Sequence, residues 1–204
     1  YSADIDLLFV FKIYMIDYTV KKYVGKNVPL YGPGGLEPFY YQFKNPWSAA
    51  LKGKRVLVIH PFADTIEKQY KNRGNLFSDP EVLPEFELYT LKAVQTIVGT
   101  VDERFDTWFD ALDWMYSEAM KMPFDVALLG CGAYGFPLTV MLRNAGKQAI
   151  YVGGGLQLLF GIKGKRWDAH FPTVQAMYNE HWVRPSAEET PSNKAKNEDM
   201  GAYW

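Results

Sequence analysis

Gly130-Cys131-Gly132-Ala133-Tyr134-Gly135 has the spacing at which a chain can bring its backbone close to a diphosphate. It follows the apolar run Phe124 to Leu129 and precedes a helix-like segment, whose free N–H groups would face an anion. A second turn, Gly153-Gly154-Gly155, closes the next apolar run. The dinucleotide form of this fingerprint needs an Asp or Glu about 20 residues on, to hold the ribose hydroxyls. Tyr151-Val152-Gly153 stands there instead, which argues against NAD. No Asp or Glu occurs anywhere from Val126 to Trp167, whereas Arg143, Lys147, Lys163, Lys165 and Arg166 all do. This imbalance favours an anionic ligand such as the phosphates of a nucleotide or nucleotide sugar. The candidate ligand-binding residues are therefore Gly130, Gly132, Ala133, Tyr134, Gly135, Gly153 and Gly154, with Lys163, Lys165 and Arg166 as a phosphate clamp. The plainer reading of the same residues is tight turns and a solvated basic loop.

Proton chemistry has three candidates. His60 ends the strand-like run Arg55 to Ile59, a position for a base or a hydrogen-bond donor, or for a structural histidine. Glu85 and Glu87 lie on one side of an extended segment, where they would serve an acceptor proton or a metal, or form an exposed face. His170 and His181 complete no zinc-type spacing, and Asp4-Ile5-Asp6 precedes its strand where a metal-holding pair should follow one. Cys131 at a helix start invites a nucleophile reading, but a small residue filling a tight turn accounts for it as well. No Gly-x-Ser-x-Gly elbow or Gly-Lys-Ser/Thr phosphate loop occurs, which leaves hydrolase and NTPase readings without support.

The elements that must position these residues alternate. Arg55 to Ile59, Phe124 to Leu129 and Lys147 to Val152 are β-rich runs without polar alternation, as in a parallel sheet buried on both faces. A further strand is expected within Glu85 to Leu91 or Ala93 to Val98. Helices are expected over Ala63 to Tyr70, Asp106 to Met120, Phe136 to Ala145 and Leu156 to Phe160. Upstream, Asp4 to Val10 and Asn27 to Tyr31 predict strands flanking a helix in Phe11 to Val24. The fold class that follows is α/β, a Rossmann-like three-layer domain with a mostly parallel sheet over residues 1–183. Residues 184–204 predict a polar tail whose final Tyr203-Trp204 is able to dock back.

The chain has 204 residues, nearly half of them apolar, which suits one domain with a real core. Net charge is -1, which argues against nucleic acid as a partner. No apolar run approaches a bilayer span. One cysteine allows no internal disulfide and suits a reducing, cytoplasmic setting. The chain begins without Met and enters a strand-like run almost at once, so sequence ahead of Tyr1 is expected to be missing.

The runs Lys52 to Phe62, Phe124 to Gly135, Gly146 to Ile150 and Gly153-Gly154 resemble bacterial proteins related to GT-D-type glycosyltransferases, associated with surface polysaccharide synthesis. The resemblance covers about Trp47 to Trp204 and implies transfer of a sugar from a nucleotide-sugar donor. It also implies a divalent cation, Mn²⁺ or Mg²⁺, on an Asp-x-Glu element near the N-terminus. No Asp-x-Glu occurs in an equivalent place here, so no metal ligand is assigned. Two functions remain: a transferase whose diphosphate rests on the Gly130 to Gly135 turn, or a non-catalytic binding or assembly module of the same fold. For the module, the rich aromatic content, including Phe39, Tyr40, Tyr41 and Trp47, would suit a homo-oligomer interface as well as a core.

Overall fold

A computed structural model describes residues 5–11, 14–96, 100–191 and 201–204. Four strands form one parallel sheet: β3 (Arg55–His60), β4 (Glu87–Lys92), β5 (Val126–Leu129) and β6 (Gln148–Tyr151), in spatial order β4-β3-β5-β6. The two central strands are apolar on both faces, and their side chains alternate between two cores. Val56, Val58, Val126 and Leu128 face one side, where Ile66 and Tyr70 of α2 (Ala63–Lys71) and Leu156, Leu158 and Leu159 of α5 (Leu156–Leu159) cover them. Leu57, Ile59, Ala127 and Leu129 face the other, under α3 (Trp108–Met120) and α4 (Gly135–Asn144). The result is a Rossmann-like three-layer α/β fold.

Local chemistry sets the element ends. Thr107 caps α3 by accepting from the Asp110 N–H at 3.2 Å, while the Asp110 carboxylate accepts from the Thr107 N–H at 2.8 Å. This reciprocal cap starts the helix two residues later than the apolar spacing alone predicts. Gly146, at φ 82, turns the chain from α4 into β6, a left-handed conformation that favours glycine. At the starts of β3 and β5, Arg55 grips Asp125 through both oxygens, which holds that exposed carboxyl down at about 2.

The upstream segment departs from expectation. Its strands shrink to β1 (Leu8–Phe9) and β2 (Leu30–Tyr31), a parallel pair separate from the main sheet, and α1 spans only Ile16–Tyr23. None of the described residues of α1 is buried, so no core pins its length. Asp4 lies outside the described residues, and the Asp6 carboxylate binds Arg143 at 2.8 Å.

The basic loop is corrected too: Lys165 and Arg166 open the helix α6 (Lys165–His170), which is followed by α7 (Pro172–Gln175). Glu189, Ala202 and Trp204 are buried, and Trp204 packs edge-on against Phe62.

Candidate functional site

In a sheet of this order the chain leaves β3 in one direction toward β4 and then crosses back to β5. The reversal leaves a crevice beyond the carboxyl ends of β3 and β5, the usual ligand position in such folds. A cavity of about 320 Å³ opens there, between His60-Pro61-Phe62 after β3 and the Gly130 to Tyr134 turn after β5. It is at the lower end of the size range of small-molecule sites. A more open hollow of about 400 Å³ on α2 is lined by Asp64, Glu67, Lys68, Lys71, Ser186 and Glu188. Its lining side chains are charged or hydroxyl-bearing, and none of the aromatic residues that wall the first cavity stands there.

The cavity walls are aromatic and uncharged. Trp108 stacks on Tyr134 with ring centroids 4.8 Å apart and planes within 5°, and Phe62, Tyr151, Tyr203 and Trp204 complete the apolar surround. No Asp, Glu, Lys or Arg lines it among the described residues. Polar character comes from His60, Gln95, Thr96, Gln157 and the glycine-turn backbone.

That backbone is built for close approach. Gly130 admits no side chain, since a Cβ there would stand 2.6 Å from His60 Cδ2 and 2.9 Å from the Gly153 carbonyl oxygen. Gly132 has φ 57 with open space around it. The N–H groups of Cys131, Gly132 and Ala133 meet no acceptor from any other described residue, that of Cys131 facing only its own thiol, so three successive donors belong to residues of the cavity wall. Gly135 has a different task. A Cβ there would lie 2.1 Å from the Tyr151 ring, whose hydroxyl donates to the Gly132 carbonyl at 3.0 Å. The third glycine thus makes room for an aromatic ring against the start of α4.

His60 is buried, and its Nδ1 accepts the Phe62 N–H at 3.0 Å. Burial holds the imidazole neutral, down at about 3. The ring proton therefore sits on Nε2, which meets no hydrogen-bond partner among the described residues. At neutral pH His60 offers the cavity a donor and no free base. Cys131 is buried and its thiol pushed up to about 12, so the thiolate is scarce at neutral pH and the small-residue reading fits.

Other expected site residues lie elsewhere. Glu85 and Glu87 sit at the amino end of the sheet, where Glu87 pairs with Arg55 and Glu85 forms an ion pair with Arg73 at 3.1 Å. A six-residue strand separates that end from the glycine turn, roughly 16–20 Å at 3.3 Å per residue. Neither glutamate can reach a ligand in the cavity. Gly154 lines the cavity, with Tyr203 packed where its Cβ would be, and Gly153, at φ 73, makes the turn without lining it. Lys163 lies over the Tyr178 ring at 5.0 Å, and Arg166 lies over Tyr203 at 4.9 Å and donates to its hydroxyl at 3.2 Å. None of Lys163, Lys165 or Arg166 lines the cavity, although Arg166 supports one of its walls.

Two residues carry the site without any role assigned from sequence. Gln157 is fully buried, and its Nε2 donates to the carbonyls of Ile162, Lys163 and Tyr203 at 3.2, 3.2 and 3.1 Å. Its Oε1 is the one buried side-chain polar atom among the described residues with no partner. Such an unmet acceptor costs about 1–3 kcal/mol. A lone Gln inside the apolar run Leu156 to Phe160 was a signal for it. Glu189 is the other. Its Oε1 accepts the N–H of Asp64 at 2.8 Å and of Thr65 at 3.3 Å, and its Oε2 meets the Thr65 and Ser186 hydroxyls. The start of α2 is therefore occupied by the protein's own carboxylate.

The chain matches no family model, no curated protein and no solved structure. The one Asp-x-Glu in the sequence, Asp79-Pro80-Glu81, offers no metal site. The Asp79 carboxylate is buried and spent on the N–H groups of Phe43 at 2.5 Å and Glu81 at 2.9 Å. Among the described residues no group of three His, Cys, Asp or Glu is placed to hold a metal ion. The divalent cation implied by the resemblance has no fitting ligand set in the described residues, and no step is routed through it. No helix among the described residues is long and apolar enough to cross a membrane.

Proposed function

We propose that the chain binds a nucleotide sugar beyond β3 and β5, as a glycosyltransferase-like domain. In this reading the diphosphate lies on the N–H groups of Cys131, Gly132 and Ala133, and a ring of the ligand enters the aromatic cavity. The observation that carries it is those three adjacent backbone donors, met by no other described residue, on wall residues of the switch-point cavity. Backbone donors can bind an anion without a lysine or arginine in the wall, as they do in other glycine-rich turns. The acid-free stretch from Val126 to Trp167 leaves no carboxylate in that segment to oppose it.

A second reading, a non-catalytic module of the same fold, is favoured by one observation. The cavity walls carry no carboxylate, and His60 presents a proton rather than a lone pair. In that case the chain binds the donor without transferring its sugar.

Calorimetry with uridine and guanosine diphosphate sugars, with and without Mn²⁺, tests both readings. Saturable binding to the folded chain, lost in Gly132→Asp, supports the site. Release of free sugar or transfer to an added acceptor would favour the transferase, and binding without turnover the module. A folded chain that binds none of the panel overturns both.

A further inference from the structure

Two buried residues of the cavity wall, Gln157 and His60, each have a side-chain polar atom without a partner among the described residues. Gln157 Oε1 is sealed within the protein, the one such atom among the described residues, so no ligand reaches it. His60 Nε2 is not sealed. The residue is 3 % exposed and lines the cavity, so this nitrogen is open to whatever the cavity holds. The Phe62 N–H, donated to Nδ1 at 3.0 Å, fixes the ring proton on Nε2. Burial keeps the ring neutral, down at about 3, so it remains a donor without charge at neutral pH.

The sheet sets this donor beside the glycine turn. Ile59 and Leu129 pair across β3 and β5, and the Gly130 N–H continues the ladder to the Ile59 carbonyl at 2.9 Å, which brings His60 alongside Gly130. A Cβ on Gly130 would lie 2.6 Å from His60 Cδ2, the ring carbon bonded to Nε2. Followed bond by bond from that contact, Nε2 stands within roughly 8 Å of the Cys131 nitrogen. One phosphate bridges donors up to about 8 Å apart, its oxygens being about 2.5 Å apart and each hydrogen bond about 2.9 Å long. Among the described residues no carboxylate lines the cavity to take the Nε2 proton instead.

We infer that His60 Nε2–H is a fourth donor of the anion site, meeting a phosphate oxygen from β3 while the N–H groups of Cys131, Gly132 and Ala133 meet the same diphosphate from β5. His60 is then a ligand-binding residue that serves as a donor and not as a base. Gly130 has its own part, since only a residue without a side chain lets the imidazole stand this close to the turn. The inference rests on the phosphate half of the proposed function.

The test follows the imidazole nitrogens and the backbone amides together by ¹⁵N NMR of the full chain, with His60 assigned by comparison with His60→Asn. In the free chain Nε2 is expected to carry the proton and Nδ1 none. Pyrophosphate and uridine diphosphate should each move the Nε2–H resonance in step with the 131–133 amides, and uridine alone should leave it in place. His60→Asn keeps an acceptor for the Phe62 N–H and should bind uridine diphosphate tenfold or more weakly at an unchanged fold; where it fails to fold, the titrations of the unaltered chain decide. Amides 131–133 that move while Nε2–H does not overturn the inference and leave the phosphate site standing. An Nε2–H that answers to uridine as it does to the diphosphate also overturns it, since the donor then serves the nucleoside. So does a folded His60→Asn that binds as tightly as the unaltered chain. If neither phosphate compound moves either group, the inference and the phosphate half of the proposed function fall together.

Discussion

Two strand-to-helix turns flank the same crevice, and they treat their backbone donors in opposite ways. After β3, the N–H groups of Asp64 and Thr65 are met by Glu189, brought in from a segment more than a hundred residues downstream. After β5, the N–H groups of Cys131, Gly132 and Ala133, residues of the cavity wall, are met by no other described residue. Both turns have the electrostatics to hold an anion. The fold supplies a permanent one to the first and none to the second. Helix geometry alone would have nominated either turn, and the internal carboxylate is what distinguishes them.

The largest effect expected from breaking this comparison is on packing. Gly135→Ala drives a Cβ into the Tyr151 ring and should cost about 3 kcal/mol in denaturant unfolding, the upper part of the range for overpacking. A cost below about 1 kcal/mol would mean that the ring yields freely and that Gly135 does not serve packing.

Next comes the closed turn. Glu189→Ala strips acceptors from two N–H groups and two hydroxyls and should cost about 2–3 kcal/mol. The same variant would show whether the vacated α2 turn then binds free phosphate. Binding there would sharpen the comparison, since the two turns would then differ only in Glu189.

At the open turn, Gly132→Asp should lower affinity for a nucleoside diphosphate about tenfold or more. Its effect on folding should be only about 1 kcal/mol, because the position has open space and Asp tolerates φ 57 better than most residues. Parallel losses of affinity and of stability would contradict a ligand role.

The smallest effect contrasts two carboxylates. Glu189 has four donors, whereas the half-buried Glu37, pressed against Gly155, has no hydrogen-bond or ion-pair partner among the described residues, and burial raises it to about 7. A carboxyl raised above its ordinary value near 4.5 weakens folding as pH rises from about 4.5 through 7. Glu37→Gln should therefore gain about 1 kcal/mol at pH 8 and nothing at pH 4. An equal change at both pH values would show that titration of Glu37 is not responsible.

The central strands and the glycine turn were legible in the sequence because their signals are local. Val56 to Ile59 is continuously apolar, and Gly130 to Gly135 stands between a strand and a helix. The closed state of the first turn was not legible, because Glu189 is a polar residue in a polar stretch and its partners lie across the fold. Glu85 and Glu87 misled for a related reason. Their spacing describes one face of a strand but not which end of the sheet they occupy. Gln157 was visible as a polar residue in an apolar run, but only its three carbonyl partners show which end of its amide remains unpaired.

The most direct measurement follows backbone amides by NMR while uridine diphosphate is titrated into the full chain. The account predicts shifts in the amides of Cys131, Gly132 and Ala133, with those of Asp64 and Thr65 still held by Glu189 and unmoved. Shifts at Asp64 and Thr65 with the 131–133 amides silent would contradict it, placing the anion at the turn that the protein's own carboxylate occupies.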